Sequence, residues 1–465
     1  MVAKHTGSLV GAGLALSCVF AAGAATILSV STTSSTSSSG STTSASVSAG
    51  VATTTATFSA PIANPPASST SIAFSTFDFA NGTKLPDKAT LWVGNATFRP
   101  GSGGTAYVPV KLDRATPNTV IARITTANGS GTLRAISGYN YKTVDTVVIF
   151  RPGDPLVQTV EVPIISATEG QFFQLKLREA PWGALQGQSA ATVTASYAAA
   201  TAKATGTFRA PRTFKATGTL QFELLKNTHK RSPEGGWDRW ATSLSHGRTQ
   251  IANEETGLYV DSSLWPGIEG PVYWSSKGLV LHTQKLASPI SYEGQSWKYG
   301  ASVLDGRNFI ASQIGYGQYE WDARMPTRRG SWPAFWLVST SGWPPEIDVY
   351  EGFGQQSYWD FDRHVAHTIH GGSGGVRAFQ RGTVIQAEQA YGLSGFSQDY
   401  HRFAVDIQRD YITWFVDGKE TYQSVNPFRG FRWYPIMNVA VKTNSAYTDG
   451  TGDMIIRSFK IYSAP

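Results

Sequence analysis

Three carboxylates within six residues, in Trp343-Pro-Pro-Glu-Ile-Asp-Val-Tyr-Glu351, constrain this chain more than any other stretch. Ile347, Val349 and Tyr350 are β-formers, so the segment reads as a strand. Side chains alternate along a strand, which puts Glu346 and Asp348 on one face. Glu351 falls on the other face of a regular strand, and one extra residue in a β-bulge brings it back. Three acids in a row repel one another and do not belong in a structural core. The residues themselves leave three readings open. They are a pair of acids working on a bond with a third setting their protonation, a hard-cation site, and a solvated edge strand.

The flanks carry a resemblance. Tyr316-Gly-Gln-Tyr-Glu-Trp-Asp-Ala-Arg-Met-Pro326, Gly330-Ser-Trp-Pro-Ala-Phe-Trp-Leu337 and the acid segment follow one another in order. Tyr400-His-Arg-Phe-Ala-Val-Asp406, Ile412-Thr-Trp-Phe-Val-Asp-Gly418 and Pro435-Ile-Met-Asn-Val-Ala440 come after them. Together they resemble glycoside hydrolase family 16 over residues 220–465. The resemblance implies a C-terminal β-jelly roll, a concanavalin-like sandwich of two curved sheets with a sugar cleft on the concave face. It implies roles for the acids: Glu346 as nucleophile, Asp348 as its electrostatic assistant, Glu351 as general acid/base. It places Ala252-Asn-Glu-Glu-Thr-Gly-Leu-Tyr259 at the cleft, so Asn253 and Glu254 are candidate sugar contacts, and His370 matches a cleft histidine. Trp332 and Trp343 are expected to stack on sugar faces, with Phe335 and Trp336 filling the core. Alternation puts Trp332 and Trp336 on one strand face, so those two assignments hold together only if the strand bends. Many members hold a structural Ca²⁺ through an aspartate of the last strand. Arg457 stands at that position, so this site is expected to be lost or reorganised, and no cofactor or catalytic metal is expected.

The rest of the chain reads as a delivery apparatus. Residues 1–25 have the form of a secretory signal peptide, with Lys4, an apolar run from Leu9 to Phe20 and Ala22-Gly23-Ala24. The one cysteine, Cys18, lies inside it, so a mature chain would carry no disulfide. Residues 26–80 are Ser/Thr/Pro-rich and read as a flexible tether. Between residues 85 and 200, short alternating runs such as Tyr107-Val-Pro-Val-Lys-Leu112 argue an N-terminal Ig-like β-sandwich. Phe150-Arg-Pro-Gly153 and Pro181-Trp-Gly-Ala184 resemble a Calx-beta domain. Its calcium run is reduced here to Ser166-Ala-Thr-Glu-Gly170, with one acid. Residues 201–219 read as a linker, and the fold class is all-β throughout.

The formal charge is +7, without the basic helix or basic-aromatic repeat of a nucleic-acid binder. It permits an acidic polysaccharide. The expected protein is a monomer, secreted or held in the periplasm or at the cell surface. It has no membrane span once the signal is cleaved. It is expected to be a retaining endo-glycosidase on a β-1,3- or β-1,3-1,4-glucan or an exopolysaccharide. The alternatives are a transglycosylase on the same scaffold and a non-catalytic carbohydrate-binding module. Pro344-Pro345 stands where laminarinases carry a glycine before the first acid, a mild argument against their standard loop.

Overall fold

The computed structural model describes residues 29–37, 40–49 and 52–58 as backbone, and residues 89–464 apart from 180, 225–239, 269, 309–312 and 443–450. The signal expected at 1–25 lies outside the described residues. Within 26–80, expected as a flexible tether, Ser29–Ser37, Gly40–Ala49 and Ala52–Phe58 form a three-stranded antiparallel sheet. Threonine and valine recur there, and their branched Cβ suits a strand. The remainder of that stretch is outside the described residues. The model divides into a first unit ending at Ser68 and a second running from Ser69 to Pro465.

In the second unit, the short runs before residue 200 form a four-stranded and a five-stranded sheet around one core. The period-two pattern is direct: Thr105–Leu112 buries Ala106, Val108, Val110 and Leu112 and leaves the residues between them half-buried or exposed. Phe173 lies at the centre, stacked on Tyr141 at 4.3 Å.

The C-terminal half is a jelly roll of two eight-stranded sheets. One, the cleft sheet, holds in spatial order the strands Gln295–Asp305, Trp433–Val441, Ser331–Ser339, Glu346–Glu351, His364–Ser373 and Val376–Gln386. The other, the back sheet, ends in Gly317–Arg324, His401–Ile407, Tyr411–Val416 and the edge strand Lys419–Val425. Aromatic rings close the space between them. Trp321 lies 5.1 Å from Phe335 and 4.5 Å from Phe459, and Tyr350 meets Phe403 at 4.9 Å. Trp321 is fully buried, and its truncation to alanine would cost about 3–5 kcal/mol.

The stretch expected as a linker does not run free. Thr213 bridges to Lys419, Phe214 donates its amide to Gly418 O, and Glu420 donates its own to Arg212 O. At the other end of the same edge strand, Thr119 donates to Gln423 O and Val425 to Pro117 O. Two segments from the N-terminal half thus cover the outer edge of the back sheet. Charged side chains reinforce the cover. Arg151 Nε lies 2.9 Å from Glu420 Oε1, and Arg212 Nη2 lies 2.6 Å from Asp406 Oδ2.

Candidate active site

The acid strand has the shape its spacing predicts. Against the neighbouring tryptophan strand, Trp336 pairs with Asp348 and Phe335 with Tyr350, so Val349 is the extra residue of a bulge. Ile347, Val349 and Tyr350 all face the core, fully buried. Glu346, Asp348 and Glu351 all line the cleft on the other face. The register sets their neighbours. Glu346 lies between Val338 and His370, Asp348 between Trp336 and Thr368, and Glu351 between Ala334 and Ala366.

A bulge frees backbone carbonyls from the ladder, and buried carbonyls need donors. One residue of the adjacent strand His364–Ser373 and one of the back sheet supply them. Trp414 Nε1 donates to Asp348 O at 2.7 Å, and His367 Nδ1 to Val349 O at 2.8 Å. With Nδ1 donating, His367 Nε2 accepts from the Thr421 hydroxyl at 2.9 Å. Burial pushes the His367 pKa down to about 3, so this imidazole is neutral. Neither Trp414 nor His367 was a candidate on sequence. The one signal for His367 is its place in the His367-Thr-Ile-His370 run.

The acids sit in a cleft of about 470 Å³. Trp343 Nε1 donates to Glu346 Oε2 at 2.6 Å, and the indole stays 41 % exposed. His370 Nε2 lies 3.1 Å from Asp348 Oδ2 and 3.5 Å from Glu346 Oε1. The 3.1 Å approach is a close contact rather than an aligned hydrogen bond, since Asp348 Oδ2 has no aligned donor. Trp332 and Thr368 hydrogen-bond to Glu351.

Burial raises the pKa of all three carboxyls, and their mutual charge adds to it. Glu346 is pushed up to about 8, by burial first and then by Asp348. Glu351 is pushed up to about 7, by burial first and then by Glu346. Asp348 is raised well above the usual carboxylate range by burial and by Glu351. Taken one at a time, these values ionise Glu351 before Glu346, the reverse of the roles the family resemblance implies. The three share their protons as a unit, so the first ionisation belongs to the cluster. The Trp343 N–H and the His370 ring are the groups that favour the charge on Glu346.

Two expectations about the walls change. Trp336 lines the cleft instead of filling the core, and its Nε1 donates to Asn438 Oδ1 at 2.7 Å. Trp332 shares that face, while Phe335 points into the core. Alternation puts Trp332 and Trp336 on one face and Phe335 on the other, so Trp336 follows Trp332 into the cleft and the strand does not bend between them. Glu254 is the second change. It takes a left-handed backbone with φ 59°, pairs with Lys442 at 3.0 Å and does not line the cleft. Asn253 does line the cleft, and so does Glu255, which sequence reasoning passed over. Asn438 Nδ2 donates to Tyr259 OH at 3.3 Å, and Tyr259 donates to Glu255 Oε2 at 3.0 Å. Burial pushes Glu255 up to about 8.

Ligand atoms of Glu346, Asp348 and His370 lie within 4.8 Å of one another, close enough to share a metal ion. A hard cation wants six or more oxygens. Here the third group is an imidazole, and an indole N–H already takes Glu346 Oε2. The structural Ca²⁺ site of the family does not fit either. Arg457 grips Asp322 at 2.9 and 2.8 Å and lies over the Tyr400 ring, so a guanidinium supplies the charge there.

Residues 271–453 match the family model described as Glycosyl hydrolases family 16. The chain carries a family 16 domain. Two curated relatives come from Rhizobium meliloti (strain 1021). The domain region is 31 % identical over 186 residues to Endo-1,3-1,4-beta-glycanase EglC, covering 39 % of this chain and 37 % of that protein. It is 29 % identical over 245 residues to Endo-1,3-1,4-beta-glycanase ExsH, covering 50 % and 49 %. The chain thus spans half or less of the length of these relatives. Among solved structures, the laminarinase catalytic domain from Thermotoga maritima MSB8 aligns over 54 % of this chain and 99 % of its own, at 23 % identity and a TM-score of 0.42. All three acids of the family 16 domain fall inside the matched residues.

Proposed function

We propose that this protein is an endo-acting glycoside hydrolase that cleaves internal β-linkages of a β-1,3- or β-1,3-1,4-glucan. The observation that carries the reading is the Val349 bulge, which puts three carboxyls on one cleft face between indole walls. The names of the Rhizobium relatives, endo-1,3-1,4-beta-glycanases, support the endo action and the linkages. Glu346 attacks the anomeric carbon while Glu351 gives its proton to the departing oxygen, and a glycosyl-enzyme forms. Glu351, now the base, takes a proton from water, whose oxygen displaces Glu346 from the same side, so configuration is retained. Asp348 sits between the two and shares their proton. A sugar hydroxyl in place of that water would make the protein a transglycosylase.

The N-terminal part is proposed as a Calx-beta-like spacer, and residues 1–25 as a signal that exports the chain to the periplasm, surface or medium. The decisive test of the reaction is Glu346→Gln, assayed on a panel of soluble β-glucans with product masses read out. Turnover should fall by several orders of magnitude with the melting curve unchanged. Proton NMR of the first product should show the β-anomer. Near-native turnover in the variant removes Glu346 from the chemistry, and a carbohydrate-binding module without turnover predicts no products from the wild type.

A further inference from the structure

The cleft sheet ends in the strand Val376–Gln386, and one cation reaches the cleft from it. Arg377 Nη1 donates to Gln380 Oε1 at 3.1 Å and reaches His370 Nδ1 at 3.4 Å. Among the described residues no carboxylate stands within ion-pair reach of it. Opposite Arg377 in the register is Gly372, which supplies no side chain to shield it. Gly374 and Gly375, at the turn of the same hairpin, leave open space where side chains would be. The guanidinium is therefore presented to whatever occupies the cleft next to the Glu346–His370 row.

A neutral glucan offers hydroxyls, which neutral groups such as Gln380 and Asn438 recognise without the cost of desolvating a charge. A guanidinium is a planar fork of donors, and its match is a pair of anionic oxygens. The acids nearby do not satisfy it. They are occupied with one another, with Trp343 and with His370. The net charge of +7 carries the same sign, favouring the approach of an anionic chain.

We propose that Arg377 makes this a cleft for an anionic glycan, binding a carboxylate or sulfate substituent on the sugar seated beside Glu346 and His370. The inference rests on the reading of the cleft as a polysaccharide hydrolase site and narrows its substrate class. The contact is a charged bidentate pair at the rim of a water-exposed cleft, so it acts on anionic substrates and weakens with salt.

The test compares three substrates on the full chain: neutral laminarin, a carboxylated β-glucan and a sulfated β-glucan. A carbodiimide-reduced form of the carboxylated polymer serves as its neutral control. The wild type should prefer at least one anionic polymer over its neutral counterpart in kcat/KM, and the favoured polymer tells carboxylate from sulfate. Arg377→Gln should lower kcat/KM on that polymer at least tenfold more than on laminarin. Arg377→Lys should recover part of the difference, and added salt should shrink it. An equal loss on both substrates would mean that Arg377 acts only through His370 and would overturn the proposal. So would a wild type with no anionic preference. If the wild type cleaves no glycan at all, the hydrolase reading fails by itself. Affinity electrophoresis in gels holding each polymer then decides on Arg377: retardation by an anionic polymer that Arg377→Gln removes sustains the anion site, and equal retardation ends it.

Discussion

At the scale of single residues, protons decide what the cleft can do. The acid trio holds its protons into the pH 7–8 range, so kcat/KM should fall on the basic side as the last shared proton leaves, above about pH 8. An enzyme fully active at pH 10 would contradict this. Glu255 gives a cleaner measurement because it stands outside the trio. Its folded pKa of about 8 exceeds the usual 4.5. Such a carboxyl keeps its proton in the fold and loses it in the unfolded chain first. Stability is thus complete below pH 4.5 and drains away as pH rises toward 8. Glu255→Gln keeps an acceptor for the Tyr259 hydroxyl and removes the titration. Urea unfolding at pH 5 and pH 9 should show the variant gaining a few kcal/mol on the wild type at the higher pH. Parallel changes in the two proteins would mean that Glu255 does not titrate in this window.

At the scale of an element, the acid strand works because its bulge is anchored from below. His367 and Trp414 satisfy the two carbonyls the bulge exposes to the core. His367→Leu would leave the Val349 carbonyl and the Thr421 hydroxyl without partners in a dry interior, at a cost of about 2–4 kcal/mol. The same change loosens the residue that turns Glu351 toward the cleft, and a misplacement of about 1 Å can cost roughly a hundredfold in rate. Denaturant midpoints and kcat measured together should both fall. A variant that loses stability but keeps kcat would show that the bulge holds its shape without this hydrogen bond.

At the scale of the molecule, the N-terminal half is bound into the jelly roll. The edge strand Lys419–Val425 is paired along its outer side by residues 117–119 and 212–214. The Arg151–Glu420 pair at that seam is 7 % and 1 % exposed. A chain starting at residue 215 would bare a long edge strand, which invites edge-to-edge association. It should melt lower than residues 89–465 and self-associate in sedimentation, and added residues 89–214 should reverse both. A monomer of unchanged melting temperature would mean that the seam is incidental.

The acid row, the bulge and the all-β class were legible in sequence because strand alternation is a covalent property of the local chain. Alternation alone put Glu346 and Asp348 on one face, and Glu351 joined them only through a bulge at Val349. Aromatic and cleft assignments needed more. On the tryptophan strand alternation showed that Trp332 and Trp336 share a face, and the fold decided that this shared face is the cleft and not the core. Glu254 and Glu255 are neighbours whose directions depend on one left-handed residue. The cover over Lys419–Val425 joins residues 304 and 208 positions apart, and no local pattern encodes such a pairing. What the sequence determined was the strand and its row of acids, through periodicity, while the chemistry of that row came from the family resemblance of its flanks. Which side chains met that strand was decided by the packing of distant strands, since burial and hydrogen bonding act only where the chain returns.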